Sequence, residues 1–162
     1  MTSHAADSKF ILADFMNNVV MSSADVLWQS VSFDIGPDDK EIYSGPSTDA
    51  EWDAMRKAMQ ALADGGAQLQ KLPAGWLVQD PALKYETPPG DLEPDAVAAL
   101  IGKEAAAWSA HAEVLRAAAA QALKATETRD LKTLSDVSDS LDQICESCHL
   151  QFWYPGQAQA GI

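Results

Sequence analysis

Residues 131–156 read LKTLSDVSDSLDQICESCHLQFWYPG. Leu131, Leu134, Val137, Leu141, Ile144, Cys148 and Phe152 recur at three- and four-residue spacing, which predicts an amphipathic helix. Lys132, Asp136, Asp139, Asp142 and Glu146 fill its other face, and Pro155-Gly156 stops it. Near its end lies Cys145-Glu146-Ser147-Cys148-His149. Two cysteines three apart, with histidine directly after the second, form the pattern of covalent c-type haem attachment. Each cysteine then forms a thioether to one haem vinyl group, and His149 coordinates the iron from the proximal side. The chain has only these 2 cysteines, and the motif uses both.

Other chemistries fit the stretch less well. A thioredoxin-like pair has the same spacing but opens a helix after a strand in a βαβ setting. Here the motif closes a long helical run. A structural zinc site needs four ligands. Cys145, Cys148 and His149 supply fewer, and the other histidines, His4 and His111, are distant in sequence. A disulfide in so short a loop is strained and leaves His149 without a role.

The rest of the chain predicts more helix. Its 162 residues suit one domain with a real core, rich in alanine and poor in β-branched residues. Helix 1 is expected from about Asp7 to the low thirties, with Phe10, Ile11, Phe15, Val19, Trp28 and Val31 on overlapping faces. Ser22-Ser23 allows a bend in it. Ser32–Ile35 and Glu41–Tyr43 can pair as a small hairpin around the turn residues Gly36-Pro37-Asp38-Asp39. Thr48 and Glu51 carry a capping-box signature. Helix 2 follows to about Lys71, its period continuing across Gly65-Gly66. A proline-rich connection, 73–93, carries Trp76 and Tyr85. Helix 3 opens near Pro94, which suits a first turn, and runs to about Thr126. Helix 4 is the stretch quoted above. The parsimonious all-α architecture is an up-down-up-down four-helix bundle with covalent haem near one end.

A bundle with Cys145-Glu146-Ser147-Cys148-His149 in its last helix resembles the class II cytochromes c, the cytochrome c′ family. The likeness covers nearly the whole chain by helix pattern, and its one specific motif is this one. It implies one haem c per chain. In the low-spin members a methionine from helix 1 completes the iron coordination and the protein carries electrons. Cytochromes c′ proper leave the iron five-coordinate beneath an apolar residue of helix 1. The long 73–93 connection and the hairpin depart from the commoner members, so the family's loop contacts do not transfer.

Bundle geometry selects the residue for the distal face. His149 lies near the end of helix 4, beside the N-terminal half of helix 1. Met16, about nine residues into helix 1, sits roughly 13 Å along it, at the depth of a haem held by helix 4. Met21 is about 7 Å further on, and Met55 and Met59 lie toward the opposite end of helix 2. Phe152, Leu12 and Val19 are the expected apolar haem contacts. His111, about seventeen residues into helix 3, is expected roughly 25 Å up the bundle and out of reach. Trp76 and Tyr85 are expected to seal the haem end, with cover of the haem edge as their other open role.

The functional expectation is a non-enzymatic one-electron carrier with His149 and Met16 as iron ligands. The alternative is a five-coordinate protein that binds nitric oxide or carbon monoxide, with Met16 as a steric gate. A peroxidase ranks below both, because helix 1 between Leu12 and Val20 offers only Asp14 and two asparagines as polar groups. The net charge of −13 excludes nucleic acid as a partner and suits a redox protein with a basic docking face. A homodimer is compatible with the alanine-rich faces. No apolar run is long enough to span a membrane. Haem attachment outside the cytoplasm implies a periplasmic or otherwise exported protein. Met1 to Phe10 has no signal core, so that expectation rests on the motif alone.

Overall fold

A computed structural model describes residues 9–157 and is mostly helical. Its elements are α1 (Leu12–Phe15), a π-helical segment (Met16–Met21), α2 (Ser22–Ser30), β1 (Ser32–Ile35), β2 (Glu41–Ser44), α3 (Asp49–Gln70), α4 (Pro94–Lys103), α5 (Ala105–Thr128) and α6 (Leu131–Phe152). α3 packs along α5, α5 along α6, and α2 along α3. Their apolar stripes meet in one core that includes Leu27, Met59, Leu62, Ala119, Leu134 and Leu141, each almost fully buried.

Helix 1 is continuous, with right-handed helical backbone at the junctions Phe15, Met16, Met21 and Ser22. It begins at Leu12, later than the predicted Asp7. Residues 1–8, including His4, lie outside the described residues. Ile11 is extended and forms a parallel bridge to Leu77. A helix start leaves backbone N–H groups without intrahelical partners. Here Leu12 N–H donates to the Leu77 carbonyl (2.8 Å) and Ala13 N–H to that of Val78 (2.9 Å). The first helix thus draws the long connection to its own tip.

The irregularity expected at Ser22-Ser23 falls one turn earlier, as the π segment. Such segments are rare and recur at functional sites. The Ser22 hydroxyl donates to the Asn18 carbonyl at 2.7 Å, giving a carbonyl of the widened turn a partner. The hairpin forms as predicted, with Ser32 opposite Ser44 and Ile35 opposite Glu41.

α3 is capped as its sequence indicates. Thr48 Oγ1 accepts from Glu51 N–H (3.2 Å), and Glu51 Oε2 accepts from Thr48 N–H (2.9 Å). The helix runs unbroken through Gly65-Gly66. A β-carbon on Gly66 would lie 2.9 Å from the Cα of Arg116, so this glycine sets how closely α3 and α5 approach.

The single third helix of the sequence reading is two helices. Glu104, with φ −112° and ψ 39°, separates α4 from α5. Glycine at 102 lowers the helical preference just before the break. Glu104 also anchors it, since its Oε2 accepts from Gln151 Nε2 on α6 at 2.8 Å. The break moves the origin of the long helix, and with it the depth of every residue on α5.

Candidate functional site

α6 brings the motif to the wall of a cavity of about 520 Å³. Asp130 starts that helix by accepting from Thr133 N–H at 3.1 Å. At its other end the His149 carbonyl accepts from both Trp153 N–H (2.8 Å) and Tyr154 N–H (3.1 Å). Cys145, Cys148 and His149 all line the cavity, and so does Met16 of the π segment. Asn17, Val20, Met21, Ala24 and Trp28 continue the wall along the first helix, and Trp108, His111, Ala112 and Leu115 supply the α5 side. The polar ring atoms of both tryptophans are engaged elsewhere. Trp28 Nε1 donates to the Ser138 carbonyl at 3.2 Å, and Trp108 Nε1 to the Leu69 carbonyl at 2.6 Å.

The connection between α3 and α4 closes the remaining side. Besides its tie to the start of α1, it is held at its far end, where Leu92 N–H donates to the Trp153 carbonyl at 2.7 Å. Between these anchors Gln79, Leu83 and Tyr85 reach the cavity wall. Trp76 instead packs against the core. Of the two aromatics expected at this end, Tyr85 therefore takes the position over the cavity.

Three expected contacts are not on the wall. Leu12 and Phe152 are fully buried in the core beside it. The Phe152 ring meets Trp108 edge-on at 5.3 Å and His111 at 6.0 Å, so it supports the wall from behind. Val19 lies on the side of the first helix that meets α3, 3.5 Å from where a β-carbon on Gly65 would sit. Val20 takes the wall position instead.

His111 corrects the sequence reading most directly. Counted from Ala105 it is in the second turn of α5, so it lines the cavity. Its Nε2 lies 2.8 Å from Gln151 Oε1, and its Nδ1 lies 3.4 Å from the Ser147 hydroxyl inside the motif. Gln151 also donates to Glu104, so the break residue, His111 and the motif helix share one polar network. Only the break at Glu104 could have revealed this placement, and Gly102 was its sole sequence signal.

The electrostatics of the motif differ from those of a redox-active thiol pair. Burial pushes the Cys145 thiol up, and Asp142 adds to it. Burial also raises Cys148, to about 12, with Cys145 adding a smaller effect. Redox-active cysteine pairs need the opposite, a lowered thiol pKa. Burial lowers the pKa of His149 against the opposing pull of Glu146, so its imidazole is neutral and able to donate a nitrogen lone pair. Tyr154 donates its hydroxyl hydrogen to Glu146 at 2.7 Å, and burial followed by that bond raises it to about 12.

These residues suit a covalently attached haem. The cavity is of ordinary cofactor size and mostly apolar, with two thiols and the His149 imidazole on α6, the thioethers of Met16 and Met21 on the first helix, and the His111 imidazole on α5. Among the described residues no three His, Cys, Asp or Glu side chains gather as a bare metal ion requires. A haem iron asks the protein only for axial ligands. No protein-family model, curated protein or solved structure matches the chain.

Proposed function

We propose that the chain is a c-type cytochrome that carries one electron. In this reading its helices form an up-down-up-down bundle, with haem near the end where α6 stops. The observation that carries the proposal is the single cavity whose wall holds Cys145, Cys148 and His149 together with Met16. Haem in this cavity supplies a one-electron iron couple. Cys145 and Cys148 would hold it through thioethers, and His149 would supply a nitrogen ligand. Met16 would supply a sulfur ligand, and such a ligand raises the reduction potential relative to a second nitrogen ligand. The mostly apolar wall would limit water around the haem, and Phe152 holds Trp108 and His111 in place behind it. Nothing in this scheme requires a group that transfers protons to a substrate, which suits a carrier and not an enzyme. Attachment chemistry of this kind places the protein outside the cytoplasm.

One observation favours the gas-binding alternative. Val20, Met21 and Ala24 share the wall with Met16, so the distal side keeps an apolar cover even if Met16 stays off the iron. The two readings part in the reduced spectrum of haem-matured protein. A low-spin spectrum that resists carbon monoxide supports the electron carrier. A high-spin spectrum with rapid carbon monoxide binding supports a five-coordinate site with Met16 as a gate.

A further inference from the structure

We propose that the rim of this cavity is the docking surface for a redox protein with a lysine-rich face around its own cofactor. The inference rests on the electron-carrier reading and names the partner of that same site. Among the described residues, the exposed large hydrophobics fall mainly on two places: the hairpin and this cavity. Met21 (44% exposed), Leu83 (57%) and Tyr85 (47%) belong to the cavity. They come from two separate segments, the first helix and the connection between α3 and α4 (the strap), and line the same cavity. A cluster of exposed apolar side chains beside a cavity marks an interaction site more often than scattered ones do.

The charge around this rim decides the occupant. A smaller hollow shares Gln79, Leu83 and Tyr85 with the cavity and adds Asp80, Glu93 and Asp95. Asp14 lies on the cavity wall itself. Asp91 and Glu146 act on Tyr154, a further wall residue. Six carboxylates therefore flank the apolar rim. The ion pairs among the described residues engage Lys40, Arg56, Lys57, Arg116, Arg129 and Lys132, and none of them involves a rim carboxylate. Lys84 is the one cation in the strap sequence 79–93. An apolar patch ringed by carboxylates that take part in none of these ion pairs favours a partner whose patch is ringed by ammonium groups, and such a pair associates faster at low salt.

The test uses haem-bearing protein whose spectrum has been verified, titrated calorimetrically with mitochondrial cytochrome c as a lysine-rich probe at low ionic strength. The rim variant replaces Asp80 and Asp95 by Asn and Glu93 by Gln. The control replaces Asp34, Asp38 and Asp39 by Asn, an equal change in charge. The hairpin carrying these lies at the start of α6, where Lys132 sits 5.9 Å from the Tyr43 ring. That is roughly 25 Å of helix from His149. The expected result is weakening of about fivefold or more by the rim variant, below twofold for the control, and loss of the difference at high salt. Leu83→Ala is expected to weaken binding at every salt concentration. Equal weakening by rim and control variants, or no weakening by either, overturns the docking surface while the cytochrome reading stands. Protein that takes up no haem overturns both, and the spectrum shows it before any titration begins.

Discussion

Met16 and His149 carry the chemistry proposed for this protein, and they differ in how far the sequence could identify them. The motif points to His149 locally, because the haem-attachment pattern uses two cysteines and the following histidine together. Met16 was reached by depth along a helix, which does not fix the side of the helix it faces. Its neighbours show the cost of that. Val19 turns to Gly65 of α3, and Val20 reaches the wall. Both positions are compatible with helical spacing from Met16 and both lie near Gly65, but only Val20 also lines the cavity. Met16→Ala is expected to convert a low-spin haem to high-spin and to open it to carbon monoxide, as read by absorption spectroscopy. An unchanged spectrum removes Met16 as a ligand. His149→Ala is expected to leave haem attached through both cysteines but to abolish the native reduced spectrum.

Elements follow their local sequence where local forces dominate. The α3 cap is one case. Hydrogen bonds from Ser47 and Thr48 hold the Glu51 carboxyl down to about 2. Because the folded pKa is depressed, this contribution is complete above the ordinary carboxylate range and is lost as pH falls toward about 2. Wild-type melting temperature should therefore fall more steeply than that of Glu51→Gln from about pH 6 to about pH 3. Parallel melting curves would show that the bond contributes nothing. Thr48→Ala should cost about 1 kcal/mol in denaturant unfolding. The hairpin was equally legible from its turn residues and β-branched flanks. The π segment and the break at Glu104 were not. No spacing rule announces a single widened turn, and one glycine is a weak sign of a break whose anchor, Gln151, lies on another helix. That break is why His111 was expected far from the motif and is found beside it. Gly66→Ala tests packing between elements. Its β-carbon would press on the backbone of Arg116, so a loss of roughly 1–3 kcal/mol is expected in denaturant unfolding. A smaller loss would mean that α5 gives way easily.

At the scale of the molecule, the long connection gains a purpose that its composition did not show. It satisfies the first backbone donors of helix 1 and is tied to the residue after α6. It therefore joins the two ends of the chain that carry the proposed iron ligands. It also brings Leu83 and Tyr85 to the cavity and a run of carboxylates to its edge. The helical class was readable from apolar periodicity, because each helix buries one stripe. The end at which the long connection lies was readable too, through Trp76 and Tyr85, but its ties were not, because they are hydrogen bonds between distant backbone groups that no side-chain pattern encodes. No helix among the described residues is long and apolar enough to cross a membrane.

The central claim is that this cavity holds a covalently attached haem with His149 and Met16 on its iron. The reduced absorption spectrum of protein produced with the haem-attachment machinery tests it most directly, recorded before and after acid-acetone extraction. The account predicts a low-spin c-type α-band and colour that stays with the polypeptide through extraction. A protein that emerges colourless, or whose haem is extracted into the solvent, would contradict it.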